Sequence, residues 1–268
     1  MRSNRMFWAV LLILMGALFL GNNLGLFSFN VWSLFWPVFL ILMGVWFLLG
    51  TMRGPQEMTA VEDSIALDGA SRAKVIVKHG AGRLHVDGSA EEGMLASGTF
   101  VNGLDARLTK LDDSLDVIMK PKTPVFPDVI LPWNWVSGQG LSWDFGFARE
   151  VQLDLTFETG AGEARLDLEE LQVRRLALKT GASSTDLTLP ARAGQTDVKV
   201  EAGAASVKIR VPENAALHLE TESGLASINV DLNRFPRGGN GYQSPGYETA
   251  ENRIFVRIET GLGSIEVI

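Results

Sequence analysis

The sequence predicts two different materials in one chain: an N-terminal transmembrane α-hairpin, then an all-β domain built as a parallel β-solenoid of about 21-residue coils. Three observations predict it. A greasy phrase is written twice near the start, "LILMGALFLGNN" and "LILMGVWFLLG". The acidic residues avoid that region altogether. Beyond residue 70, a pattern of alternating apolar residues around a fixed glycine recurs six times.

Charge comes first, because it divides the chain. Residues 1–53 contain Arg2, Arg5 and Arg53 and no Asp or Glu. The other 215 residues hold all 31 acidic groups against 21 Lys and Arg, a net charge of about −10. An acidic portion without a basic cluster argues against nucleic acid as a partner, since phosphate binding needs grouped cations. There is no cysteine, which removes disulfides, thiolate chemistry and Cys-ligated zinc.

Residues 6–20 form an uncharged run of 15, and residues 31–49 one of 19. A helix crossing the hydrocarbon needs roughly 20 apolar residues. The second run meets that, and the first does so with its flanks, so spans are expected at about 6–24 and 31–50. "GNNLGLFSFN" between them can turn the chain. Pro37 falls in the first turns of the second run, where a missing N–H costs least. Trp8, Trp32, Trp36 and Trp46 suit the water–lipid boundary. Gly16 and Gly44 hold the same place in the two copies and are the candidate helix–helix contact. Arginines at both ends, with none in the loop, place both ends in the cytoplasm. The expected domains are a hairpin over 1–53, a linker over 54–69, and a β domain over 70–268.

The β domain follows from register. The anchoring glycines are Gly80, Gly160, Gly181, Gly203, Gly224 and Gly261, and from Gly160 to Gly224 they recur every 21 or 22 residues. Five residues before each stand Val75, Leu155, Leu176, Val198, Leu219 and Val256. Six after stand Val86, Leu166, Leu187, Ile209, Val230 and Val267. Period-two alternation on both sides of a glycine means two half-buried strands joined by a tight turn. The glycine is expected to supply a positive φ. One coil cannot hide its apolar face, so successive coils are expected to stack roughly 4.8 Å apart in a parallel ladder over one shared core.

Two stretches break the period: residues 88–150 and 233–252. The first holds Trp133, Trp135 and Trp143, while the repeats hold no tryptophan. Two readings stand for it: an aromatic cap that closes the core, or a docking surface for a partner or the membrane interface. "GGNGYQSPGY" in the second reads as a loop.

Catalytic signals are sparse. His79, His85 and His218 are expected at solvated strand or turn positions, with no metal site assigned. "GAG" at 80–82 and 160–162 could form an anion nest, but the corner alone accounts for those glycines. Outward positions such as Asp154, Asp167, Lys179, Asp186, Lys199 and Lys208 mix signs, as solvated strand faces do. No catalytic residue and no cofactor is expected. A carbohydrate-active enzyme would need acids clustered in a groove.

"LILMGALFLGNNLG" and "FWPVFLILMGVWFLLG" resemble the two-span module at the start of bacterial LiaF-like proteins. "LTFETGAGEARLDLEELQVRRLALKTGASSTDLTLP" and "YQSPGYETAENRIFVRIETGLGSIEV" resemble the toast-rack β-repeat domains often joined to it. The resemblance implies a right-handed β-helix carried on a hairpin in the bacterial cytoplasmic membrane. It also implies a non-enzymatic regulator that restrains a membrane sensor kinase in envelope-stress signalling. The insertion at 88–150 lies outside the motifs that carry it. The expected partners are therefore the lipid bilayer, a membrane sensor kinase or other membrane protein, and a second copy of the chain. The alternative is a β-helical scaffold or adhesin-like surface that binds polymer or self-assembles.

Overall fold

The computed structural model describes residue 13, residues 36–45, residues 60–122 and residues 141–268. The chain divides into two compact units, Met1–Pro55 and Gln56–Ile268.

In the first unit, residues 36–45 are helical and every one of them is exposed. Ile41 is 64 % exposed and Leu40 55 %, so apolar surface lies on all sides of this segment, as expected of a helix whose solvent is not water. Among the described residues no helix is long and apolar enough to cross a membrane. Both expected spans extend beyond the described residues, and Gly16 lies outside them. Gly44 lies within the described helix, while the copy expected to cross it lies outside the described residues apart from Ile13.

The second unit is almost wholly β. Its strands are β1 Ala60–Ala66, β2 Arg72–Asp87, β3 Met94–Val101, β4 Leu104–Leu111, β5 Ser114–Pro121, β6 Leu141–Phe147, β7 Gln152–Asp167, β8 Gln172–Thr188, β9 Gln195–Arg210, β10 Ala215–Val230, β11 Arg237–Gly238, β12 Gly241–Gln243 and β13 Asn252–Val267. The six long strands are the six glycine-centred repeats, each bent at its glycine into two halves that pair in parallel with the next rung. Equivalent residues stack: Val75 on Leu155, Leu155 on Leu176, Leu176 on Val198. All four are at most 2 % exposed. The second halves stack likewise, Val86 on Leu166 and Leu166 on Leu187, all fully buried. Each buried aliphatic contributes roughly 1.5–3 kcal/mol, and only because the rungs above and below cover it.

Four expectations need correction. The rungs do not stack in chain order. The last repeat, β13, lies between β9 and β10, pairing Val256 with Val198 on one side and with Leu219 on the other. The segment at 233–252 makes this possible: it folds into the β11–β12 hairpin, lays β12 antiparallel on the outer edge of β10 at His218 and Leu219, and returns the chain past β10. The expected linker is partly structured, because β1 pairs antiparallel with β3 over Ala60–Ala66.

The third correction concerns the insertion at 88–150, which adds a rung. β5 pairs in parallel with the first half of β2, and β6 with the second half, so Val117 and Met119 extend the buried columns beside Val75 and Val77. β3 and β4 then cover β6 and β5 as antiparallel strands, closing that end.

The fourth concerns the glycines. A positive φ belongs to Gly82, Gly162 and Gly263, two residues after the anchoring position; Gly80, Gly160, Gly181, Gly203, Gly224 and Gly261 do not have one. The anchoring glycines serve close approach instead, except Gly80, where a Cβ would meet nothing within 4 Å. A Cβ on Gly160 would stand 2.4 Å from the Gly80 carbonyl oxygen, and one on Gly181 2.6 Å from that of Gly160. A Cβ on Gly162 would meet both problems, a φ of 132° and the Gly82 oxygen at 2.0 Å. At Gly203 the nearest oxygen is 3.1 Å away. Gly162→Ala should therefore destabilise the domain by about 3 kcal/mol and Gly203→Ala by about 1 kcal/mol. Thermal unfolding of the two variants checks the order, and equal losses would contradict this account of the corner.

Candidate functional site

Because the anchoring position is glycine on all six long strands, the corners leave a bare strip of backbone along one side of the rack. It floors a groove of about 1390 Å³ that runs across all six rungs. One wall is a single register column: Lys78, Glu158, Lys179, Glu201, Glu259 and Glu222, each opposite the next. The β4–β5 hairpin supplies Asp105, Lys120 and Lys122 at one end.

Ion pairs hold this wall. Lys78 meets Glu158 at 3.0 Å, Lys179 meets Glu201 at 3.4 Å, and Lys199 bridges Glu201 at 2.8 Å and Glu259 at 3.0 Å. Such half-exposed pairs contribute little stability, but they set a pattern of charge. Lysines predominate at the β5 end, whereas Glu201, Glu259 and Glu222 follow one another toward β10. Hydrogen bonding from Lys199 holds the Glu201 carboxyl below its ordinary range, and the same contact, followed by that to Glu259, raises Lys199. The wall is thus biased toward its charged forms, which suits electrostatic recognition.

Beneath the wall lies a column of small polar groups, among them Thr159, whose hydroxyl donates to that of Thr180 at 3.0 Å. His79 occupies this column in β2. It is 2 % exposed, and its ring lies 5.5 Å from that of Trp143. The expectation of a solvated histidine fails here because His79 continues the inward register of Val75 and Val77, with Trp143 of β6 packed beside it. Desolvation lowers the His79 pKa from 6.5 to about 4, partly offset by the Leu141 backbone. The other histidines are partly exposed: His85 pairs with Asp144 at 3.0 Å, and His218 packs on Tyr247 and Phe255. Among the described residues no group of three His, Asp or Glu could hold a metal ion.

The tryptophans separate. Trp143 is fully buried, stacked edge-on against Phe100 at 5.2 Å, with its indole N–H donated to the Val101 carbonyl at 3.3 Å. It closes the core and is not a docking surface. Trp133 and Trp135 lie outside the described residues. The groove itself was missed in the sequence. The columns Lys78–Glu158–Lys179–Glu201 and Gly80–Gly160–Gly181–Gly203 are both legible there once aligned, but the concavity between them is not.

Fold and site together define a rack of parallel rungs with an open charged groove. Two family models match. The N-terminal domain of toast_rack (DUF2154) covers residues 54–210, more than half of the chain, and the LiaI-LiaF-like transmembrane region covers residues 6–48. The chain belongs to the toast-rack family, and it is a membrane protein by its transmembrane region. Among solved structures, a candidate cell adhesion protein from Clostridium sporogenes ATCC 15579 is 20 % identical with a TM-score of 0.68, over 78 % of this chain and 98 % of that one. A candidate adhesin from Bacteroides fragilis NCTC 9343 aligns over 80 % of this chain and 99 % of its own, at 9 % identity and a TM-score of 0.32. The first supports the fold. No curated protein matches.

Burial of His79 has a pH signature. The unfolded chain takes up a proton near pH 6.5, while the folded chain resists until about pH 4. Stability is therefore full above pH 6.5 and falls as pH drops through that window. Between pH 7 and 5, where carboxylates remain charged, the loss should be about 2 kcal/mol. Denaturant unfolding of His79→Phe over the same range should show that slope removed; an unchanged slope would assign it to other groups.

Proposed function

We propose that this chain is a non-catalytic, membrane-anchored interaction protein of the bacterial envelope, LiaF-like in role, that modulates a membrane partner such as a sensor kinase. The observation that carries the proposal is the groove: bare backbone along its floor, and a wall of charge graded from lysine to glutamate across six rungs. That geometry accepts an extended segment of opposite polarity along its length, while its paired acids favour their ionised state over proton transfer. The LiaI-LiaF-like region supports a membrane anchor; in this reading it is a hairpin of two spans that cross at Gly16 and Gly44, and the arginines at both flanks put both ends in the cytoplasm. The right-handed winding implied by the toast-rack resemblance belongs to the same reading.

A second reading follows from the likeness to a candidate cell adhesion protein: a scaffold whose groove holds an extended polymer.

Copurification from crosslinked membranes separates them. The double variant Glu201→Lys/Glu259→Lys should reduce recovery of a membrane protein partner by about tenfold, through like-charge repulsion at the acidic end. Replacing both spans by unrelated ones should also lower it. Recovery unaffected by either change would reject the regulatory reading, and glycan bound by the soluble portion would favour the scaffold. Sidedness has its own test, since the chain has no cysteine. Asn240→Cys, exposed beside β12, should resist an impermeant thiol reagent in intact cells and react after lysis. Labelling of intact cells would place the β domain outside.

A further inference from the structure

The two ends of the rack are finished differently. At the β5–β6 end the outermost strands carry charge: β1 reads AVEDSIA, with Glu62 and Asp63, and β4 reads LDARLTKL, with Asp105, Arg107 and Lys110. Charged side chains on an edge strand discourage pairing with another chain. At the opposite end β10 is the last full rung, and β12 covers it only at His218 and Leu219. Among the described residues no strand pairs with the outer edge of its second half.

That half, residues 223–230, reads SGLASINV and contains no charge and no proline. Leu225 is 82 % exposed. Ile228 is only partly buried, whereas Ile265 and Val207, its equivalents on the two rungs behind, are 1 % exposed. The core is therefore unfinished on one half of one rung.

We propose that residues 223–230 pair edge to edge with the same residues of a second copy, closing the core as a two-fold dimer. The occupant follows from three features. An uncharged edge has no sign with which to select an oppositely charged partner. What would complete the layer is another rung with the same ladder positions, and β13 shows that a distant repeat fits between neighbours in this way. Two-fold pairing of a strand with itself is antiparallel and uses both edges at once, so it closes at two copies instead of growing. Centred on Ser227, it sets Ala226 opposite Ile228 on the core side and Leu225 opposite Asn229 outside. Glu222 and Asp231 bracket the segment and confine pairing to it. The proposal is independent of the groove and of any partner that binds there.

The test uses the full chain, which has no cysteine of its own. In membrane vesicles, Ser227→Cys should give a two-chain product with a short bis-maleimide, while Glu62→Cys on the charged edge should not. In detergent, light scattering should find two chains. Ser227→Lys and Asn229→Lys, both at exposed outward positions, should weaken that association by roughly tenfold by setting like charges together, with circular dichroism unchanged. A single-chain mass for the native sequence overturns the proposal. So does Ser227→Cys that crosslinks no better than Glu62→Cys or only to other proteins, and so does a dimer indifferent to both lysines.

Discussion

The structure depends on how near one rung can lie to the next at the bend. Strands in a ladder sit roughly 4.8 Å apart, and each long strand must turn there without pushing its neighbours away. At five of the six anchoring positions, all but Gly80, a Cβ would come within 2.4–3.1 Å of a neighbouring rung's carbonyl oxygen, so glycine keeps the spacing. Everything inside follows. The apolar columns meet because the corners stack, and the columns in turn press the corners together. The same constraint shapes the outside: a glycine repeated at six corners is a groove with a backbone floor. The site is thus a by-product of packing, and its specificity rests on the residues two places earlier, where lysine and glutamate alternate before three glutamates run together.

A stack of identical rungs has no natural stopping point, so its ends must be made different. One end is closed by the insertion at 88–150, which continues the buried columns through Val117 and Met119 and then covers them with charged antiparallel strands. Trp143, Phe100 and Phe145 fill the volume there that aliphatic side chains fill elsewhere. The other end is half closed by the β11–β12 hairpin. The chain achieves this by sending its last repeat inward, so β10 becomes the terminal rung although it is not the last in sequence. His79 is buried at the first corner because it continues the inward register of Ala73, Val75 and Val77, and it lies against Trp143 of the split β5–β6 rung.

Much of this was legible in the sequence. Alternation around a glycine identifies the six long strands, and a period of 21 or 22 residues sets which residues stack, because a strand has two faces and only one register buries all the aliphatics. The charge boundary near residue 53 separates the membrane region, because hydrocarbon tolerates no unpaired carboxylate. The extra rung at β5 and β6 also shows period-two text, in Leu115, Val117 and Met119 and in Leu141, Trp143 and Phe145, but residues 122–140 separate its two halves, so it does not align with the others. Left to the tertiary structure were matters that depend on which equivalent neighbour a rung adopts. Any repeat of this pattern can pair with any other, so local sequence is indifferent to whether β13 follows β10 or slips between β9 and β10. Only the return path of the hairpin decides it. The role of each glycine was hidden for the same reason: close approach and positive φ both call for glycine, and only coordinates tell a neighbour's carbonyl from a bond's own rotation.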